Sequence, residues 1–248
     1  MRHRSPSFVP VLVSSGLLAL PLSAAGGDWP SFRGADGTGR AVEVLSPGEG
    51  PLALELRWKR DLGSGYSGIA VAEGLLVTVF EAGARDVVAA FDPESGEERW
   101  RYDLAPAYPG HDGSASGAMA TPAVADGRVF ILGPWGHLAA LDVKTGAPLW
   151  AAHVVDDLGS EKPLYGFASS PAVVGDTVVL PIGGEAGAVA GFDAATGALR
   201  WRSVEDEIFS QSPVVADLAG RRQVVVLGGK LLVGLDPADG AVLWSCLL

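Results

Sequence analysis

The side chains able to do chemistry are scattered along this chain of 248 residues. His111, His137 and His153 fall at unrelated positions, so their spacing gathers no three or four ligands for zinc. "GADGTG" and "GHDGSASG" each put an acid beside glycine but lack the alternating acids of a calcium loop, so turns are their expected role. No Gly-x-Ser-x-Gly nucleophile elbow and no phosphate loop is present. The strongest binding candidates are Tyr66, His111, Asp112, Met119, Tyr165, Phe167, Phe209 and Gln211. They lie in four variable stretches: "DLGSGYSG", "YDLAPAYPGHDGSASGAMATP", "VVDDLGSEKPLYGFASSP" and "SVEDEIFSQSP". Aromatic rings converging with a few polar groups suit a small ligand or a peptide. Asp112, Asp156, Asp157 or Glu161 could act as a base only if the fold brought it to a substrate. No residue is assigned a catalytic, cofactor-binding or metal-binding role.

What positions those stretches is a repeat. "VVAAFDPESGEERW" returns as "HLAALDVKTGAPLW", "AVAGFDAATGALRW" and "LLVGLDPADGAVLW". Aligned, the copies superimpose Asp92, Asp142, Asp193 and Asp236, then Gly96, Gly146, Gly197 and Gly240, then Trp100, Trp150, Trp201 and Trp244. The tryptophans are spaced by 50, 51 and 43 residues, and Trp58 lies 42 before the first. A period of that size means a repeat architecture. Within each unit, short β-branched runs alternate with Gly-containing turns, as in "PAVADGRVFILGPWGHLAALDVKTGAPLW". Helical stripes of period 3.6 are missing. The predicted fold is all-β, a propeller of four-stranded antiparallel blades at about 66–103, 118–153, 167–203 and 210–247. Asp is expected to accept turn amides, Gly to supply positive φ, and Trp to wedge against the neighbouring blade. Small polar residues (Ser67, Thr121, Ser170 and Ser212) should enter the inner strands, with Pro122, Pro171 and Pro213 following where no ladder N–H is needed.

The N-terminus reads as an export signal. Arg2 and Arg4 precede an apolar run from Phe8 to Leu20, and "LSAAGG" offers a cleavage point after Ala25. The run is too short for a comfortable membrane span, so no span is expected after cleavage. Residues 1–25 form the signal, 26–52 a leader and 53–248 the repeat region. Net charge is −11, or −13 once Arg2 and Arg4 leave, because residues 1–25 hold no acid. That field repels phosphate backbones and argues against a nucleic-acid partner. Cys246 stands alone, so no intrachain disulfide can form, and no lipoprotein cysteine lies near the cleavage point. A periplasmic or secreted location is expected, in a bacterial envelope.

The motif Ala/Gly-x-Asp-x-x-[Thr/Ser]-Gly-x-x-x-Trp resembles the tryptophan-docking motif of the pyrroloquinoline quinone (PQQ)-like β-propellers, the quinoprotein alcohol dehydrogenase-like superfamily. The resemblance covers about residues 58–248, and "DWPSFRGADGTG" is similar to the leader of exported members. Asp239 departs from it by replacing Ser/Thr, and Gly191 and Gly234 replace the Ala of positions 90 and 140. The resemblance implies rings of about seven or eight blades. Five outer strands, counting one at Trp58, against four inner sets therefore suggest an open partial ring from a truncated chain. It also implies two functions. BamB-like exported members are non-catalytic scaffolds that bind an envelope protein or ligand without a cofactor. The dehydrogenases hold PQQ in the channel with Ca2+ bound by Glu and Asn, an Asp as base and often adjacent cysteines. This sequence contains no Asn and no Cys-Cys pair. The scaffold is the expectation, with a PQQ-dependent alcohol or sugar dehydrogenase as the alternative.

Overall fold

A computed structural model describes residues 27–41, 55–207 and 210–248; the expected signal, its cleavage point and Phe209 lie outside them. Sixteen strands form four antiparallel sheets, each meandering in chain order. Blade 1 holds β1 (Ala70–Ala72), β2 (Leu75–Ala82), β3 (Arg85–Phe91) and β4 (Glu98–Pro106). Blade 2 holds β5 (Ala123–Ala125), β6 (Arg128–Leu132), β7 (His137–Asp142) and β8 (Pro148–His153). Blade 3 holds β9 (Ala172–Val174), β10 (Thr177–Pro181), β11 (Val189–Asp193) and β12 (Leu199–Ser203). Blade 4 holds β13 (Val214–Leu218), β14 (Arg221–Leu227), β15 (Leu231–Leu235) and β16 (Val242–Leu247). Inner strands β1, β5, β9 and β13 neighbour one another in that order.

The core lies between blades. Val77, Val88 and Trp100 meet Ile131 and Leu141. Phe130 and Leu138 meet Leu180 and Phe192, while Val179 and Trp201 meet Val226 and Leu235. The middle strands of blades 2 and 3 are buried on both faces, so they read as apolar runs such as "VFIL", whereas β14 of blade 4 keeps Arg221, Arg222 and Leu227 exposed.

The repeated residues work at the junctions. Asp142 Oδ1 accepts Thr145 N (2.8 Å) and Thr145 Oγ1 (2.7 Å), which shapes the turn from β7 to β8. Gly146 completes that turn at φ 69°, and a Cβ there would lie 2.5 Å from Trp100 of the previous blade. Each indole thus lies on the glycine of the next blade's turn. Its N–H reaches the carbonyl just after the turn aspartate: Trp58 to Pro93 O (2.9 Å), Trp100 to Val143 O (2.7 Å), Trp150 to Ala194 O (3.0 Å) and Trp201 to Pro237 O (3.1 Å). Trp244 differs, donating to Gln223 Oε1 of its own blade at 2.7 Å. In the last turn Asp239 Oδ1 accepts Ala241 N (2.9 Å), the role Thr145 Oγ1 fills for Ala147, so the departure from Ser/Thr is tolerated.

Two expectations need correction. Residues 55–64 join no ladder, so the predicted fifth outer strand is absent there; the segment docks through side chains, Trp58 Nε1 donating to Pro93 O and Arg60 Nε to Gly96 O of the turn after β3. In blade 1 the inner-strand entrance is Gly68, not Ser67, because Ser67 Oγ turns back to the Gly68 carbonyl. Gly68 N donates to Thr121 Oγ1, Thr121 N to Ser170 Oγ and Ser170 N to Ser212 Oγ, at 3.1, 2.9 and 2.9 Å. A hydroxyl ladder therefore stitches the inner rim. One unpredicted helical turn, α1 (Val154–Leu158), follows β8, with His153 as its N-cap and Gly159 in the left-handed C-cap. No helix among the described residues is long and apolar enough to cross a membrane.

Candidate functional site

The leader lies along the inner rim. Trp29 exchanges backbone hydrogen bonds with Val71 of β1 (2.7 and 2.8 Å), and the Pro30 carbonyl accepts Val124 N of β5 (2.7 Å). Ser31 to Gly37 then run past the start of β9 and β13. Beside this leader opens a cleft of about 510 Å3, lined by Phe32, Arg33, Tyr66, Met119, Gln211 and the hydroxyl ladder. It adjoins a second cleft of about 370 Å3 walled by Tyr66, Tyr108, Met119 and Tyr165.

Four of the predicted residues, Tyr66, Met119, Tyr165 and Gln211, meet there. Tyr66 is anchored by its N–H to Ala118 O and by its hydroxyl, which accepts Ala115 N at 2.8 Å. His111 sits one layer back, edge-on to Tyr165 with ring centres 5.1 Å apart. Its Nε2 is 3.3 Å from Asp112 Oδ2, in an exposed turn where Asp112 takes φ 48°. Phe167 does not line the cleft: it is buried in the blade 2–blade 3 core. An aromatic beside a loop glycine can point either way, and here Phe167 packs beneath Gly136.

Sequence reasoning missed Arg33 and Tyr108. Arg33 comes from the leader, which no repeat alignment reaches, and it makes no ion pair among the described residues. Tyr108 packs edge-on against Trp135 at 5.2 Å, with Lys162 Nζ within 6 Å of both rings, and burial raises its hydroxyl pKa. Its backbone N–H donates to Asp86 Oδ2 at 3.2 Å. Asp86 is fully buried, its Oδ1 has no partner among the described residues, and burial pushes its pKa up to about 6. This carboxyl therefore holds the base of the loop that walls the second cleft.

The histidines also differ from expectation. His137 and His153 are cross-strand partners with ring centres 4.5 Å apart. Pairing Ala140 with Trp150 and counting outward three places on each strand would have found them. Burial and the neighbouring imidazole lower the His137 pKa. His153 Nδ1 is already used by Asp156 N at the helix cap, and no group of three metal-capable side chains occurs among the described residues.

Four-stranded blades, each locked by the preceding tryptophan onto an Asp-x-x-[Ser/Thr/Asp]-Gly turn, define a PQQ-like repeat propeller. The sequence profile described as outer membrane protein assembly factor BamB matches residues 41–204 and 185–247, and the chain belongs to this family. It is similar to 1-butanol dehydrogenase (cytochrome c) of Thauera butanivorans, 30% identical over 187 residues that cover 73% of this chain and 26% of the relative. It is also similar to the outer membrane protein assembly factor BamB of Burkholderia pseudomallei, 30% identical over 229 residues, 88% of this chain and 55% of that protein. Among solved structures, quinohemoprotein alcohol dehydrogenase from Comamonas testosteroni superposes with a TM-score of 0.62 at 19% identity, over 89% of this chain and 41% of that one. The chain thus spans a quarter to about half the length of these relatives.

Proposed function

We propose that this chain is an exported, non-catalytic propeller that binds an envelope protein or small ligand through the cleft at its inner rim, in the bacterial periplasm or outside the cell. The observation that carries the reading is the lining of that cleft: two aromatic rings, a methionine, hydroxyls, one amide and the guanidinium of Arg33. Such a surface offers shape, apolar contact and hydrogen bonds, with no general base among its lining side chains. The similarity to BamB proteins supports a scaffold role.

The dehydrogenase relatives favour a second reading, a quinoprotein alcohol dehydrogenase. The cleft residues do not fit PQQ with Ca2+. Calcium takes carboxylate and carbonyl oxygens, whereas this lining contains no carboxylate and places a cation beside the hydroxyls. The motif aspartates are committed to turns at the opposite, outer side of each blade.

Adding PQQ and Ca2+ and following dye-linked alcohol oxidation separates the readings. The scaffold predicts no turnover, and turnover abolished by substitutions in the cleft would overturn it. Crosslinking from Tyr66 or Gln211 positions in envelope extracts should capture a partner or ligand, and capture should fall on Arg33→Ala.

A further inference from the structure

Each inner strand presents one equivalent edge amide. Val71, Val124, Val173 and Val215 each lie three residues after a rung of the inner rim, namely Gly68, Thr121, Ser170 and Ser212. Their cross-strand partners, Leu76, Val129, Val178 and Val224, are equivalent as well. The register turns each of these N–H groups away from its own sheet and toward the axis. Two successive leader carbonyls, Trp29 O and Pro30 O, take the first two. The amides of Val173 and Val215 have no acceptor among the described residues. They face a throat of about 70 Å3 between the leader and the starts of β9 and β13, continuous with the larger cleft through Arg33, Ser170 and Ser212.

We infer that blades 3 and 4 form a peptide-binding edge, on which two successive carbonyls of an extended polypeptide bind the Val173 and Val215 amides as Trp29–Pro30 binds those of Val71 and Val124. The leader supplies the template. Carbonyls one residue apart match edge amides one blade apart, and strand edges are the usual docking surface for extended peptides. A backbone carbonyl suits the throat better than a free anion, because Asp36 stands beside Arg33 and Arg222 in its wall. Pro171 and Pro213 precede the two strands, so the approach to the edge already lacks N–H groups that would pair elsewhere. The inference rests on the ligand-binding reading above but specifies a different contact.

The probe is the acetylated, amidated pentapeptide Asp-Trp-Pro-Ser-Phe, the sequence of residues 28–32, added to the full chain carrying 15N-valine. Hydrogen exchange at Val173 and Val215 is expected to slow about tenfold or more, while Val71 and Val124, already protected, do not change. Val215→Pro removes one donor and should weaken binding about tenfold. Val215→Ala keeps the donor and should bind normally. Peptide that perturbs Tyr66 and Gln211 without protecting either amide would overturn this inference and leave the cleft reading standing. Protection of both amides before peptide is added would overturn it too, by showing the edge already filled. A failure of both peptide binding and crosslinking would remove the cleft reading as well.

Discussion

The outer and inner sides of this arc of blades solve the same problem in opposite ways. On the outer side one contact is repeated four times, with Trp58, Trp100, Trp150 and Trp201 each seated on the next blade's turn. On the inner side the positions repeat but the partners do not: the leader caps blades 1 and 2, and a throat faces blades 3 and 4. Stability resides where the contacts are identical. The proposed binding function falls where equivalent groups have been left with different neighbours.

The largest test of that division is removal of an indole. Trp100→Ala deletes a buried ring and its bond to the next blade, and should cost about 3–5 kcal/mol in denaturant unfolding. Trp244→Ala removes an indole bonded only within its own blade and should cost about 1–2 kcal/mol. Equal losses would mean that docking on the next blade contributes nothing special. Next comes the seat itself. Gly146→Ala combines positive φ with a clash against Trp100 and should cost about 3 kcal/mol. Gly127→Ala, at φ 73° but facing open space, should cost about 1 kcal/mol. The difference between these two isolates the indole contact from backbone strain.

The same contrast decides what could be read in advance. The outer side was legible because Asp, Gly and Trp each act within a short span, or on the next copy of that span. Asp142 shapes its turn and Gly146 receives Trp100, so four aligned copies revealed the blades. Even Gly191 and Gly234, which looked like departures, lie under Trp201 and Trp244, where an added methyl would collide. The inner side was legible only in part. Tyr66, Met119, Tyr165 and Gln211 stand in loops of repeated position, and the fold brings them to the two adjoining clefts. Arg33 reaches the cleft from a segment outside the repeat, and no local spacing could report it. Phe167 was misread because one aromatic in a loop carries no periodicity to tell core from surface. The strand at Trp58 failed because its indole satisfies the repeat pattern while its backbone has no inner partner to extend.

Acidity divides the molecule along the same line. Asp86, buried below the inner loop, has its pKa raised to about 6 by burial. A raised carboxyl favours the protonated folded state, so its stabilising contribution is present below pH 4 and is lost as pH rises to about 6. That loss amounts to about 2–3 kcal/mol and should vanish in Asp86→Asn. The outer aspartates behave oppositely. Arg200 and Thr196 hold Asp193 down to about 2, so its contribution is present above pH 4 and fades as pH falls toward 2. Thermal melts of the wild type and Asp86→Asn from pH 3 to 7 should converge at the acid end and separate toward neutrality. Parallel curves would place Asp86 in water instead.

The smallest expected effect tests whether the inner rim holds blades together at all. Ser170→Ala strips the acceptor from the buried Thr121 N–H and should cost about 1–2 kcal/mol, well below the loss for Trp100→Ala. Ser170→Thr keeps the hydroxyl and should cost less than the alanine. The rung joins blades 2 and 3 at the floor of the larger cleft, so its loss should also raise hydrogen exchange at Thr121 and, under the proposed function, weaken binding there. Stability lost without those two changes would assign Ser170 to packing alone. A cost matching that of Trp100→Ala would erase the contrast, since the inner rim would then fasten the blades as firmly as the indoles do.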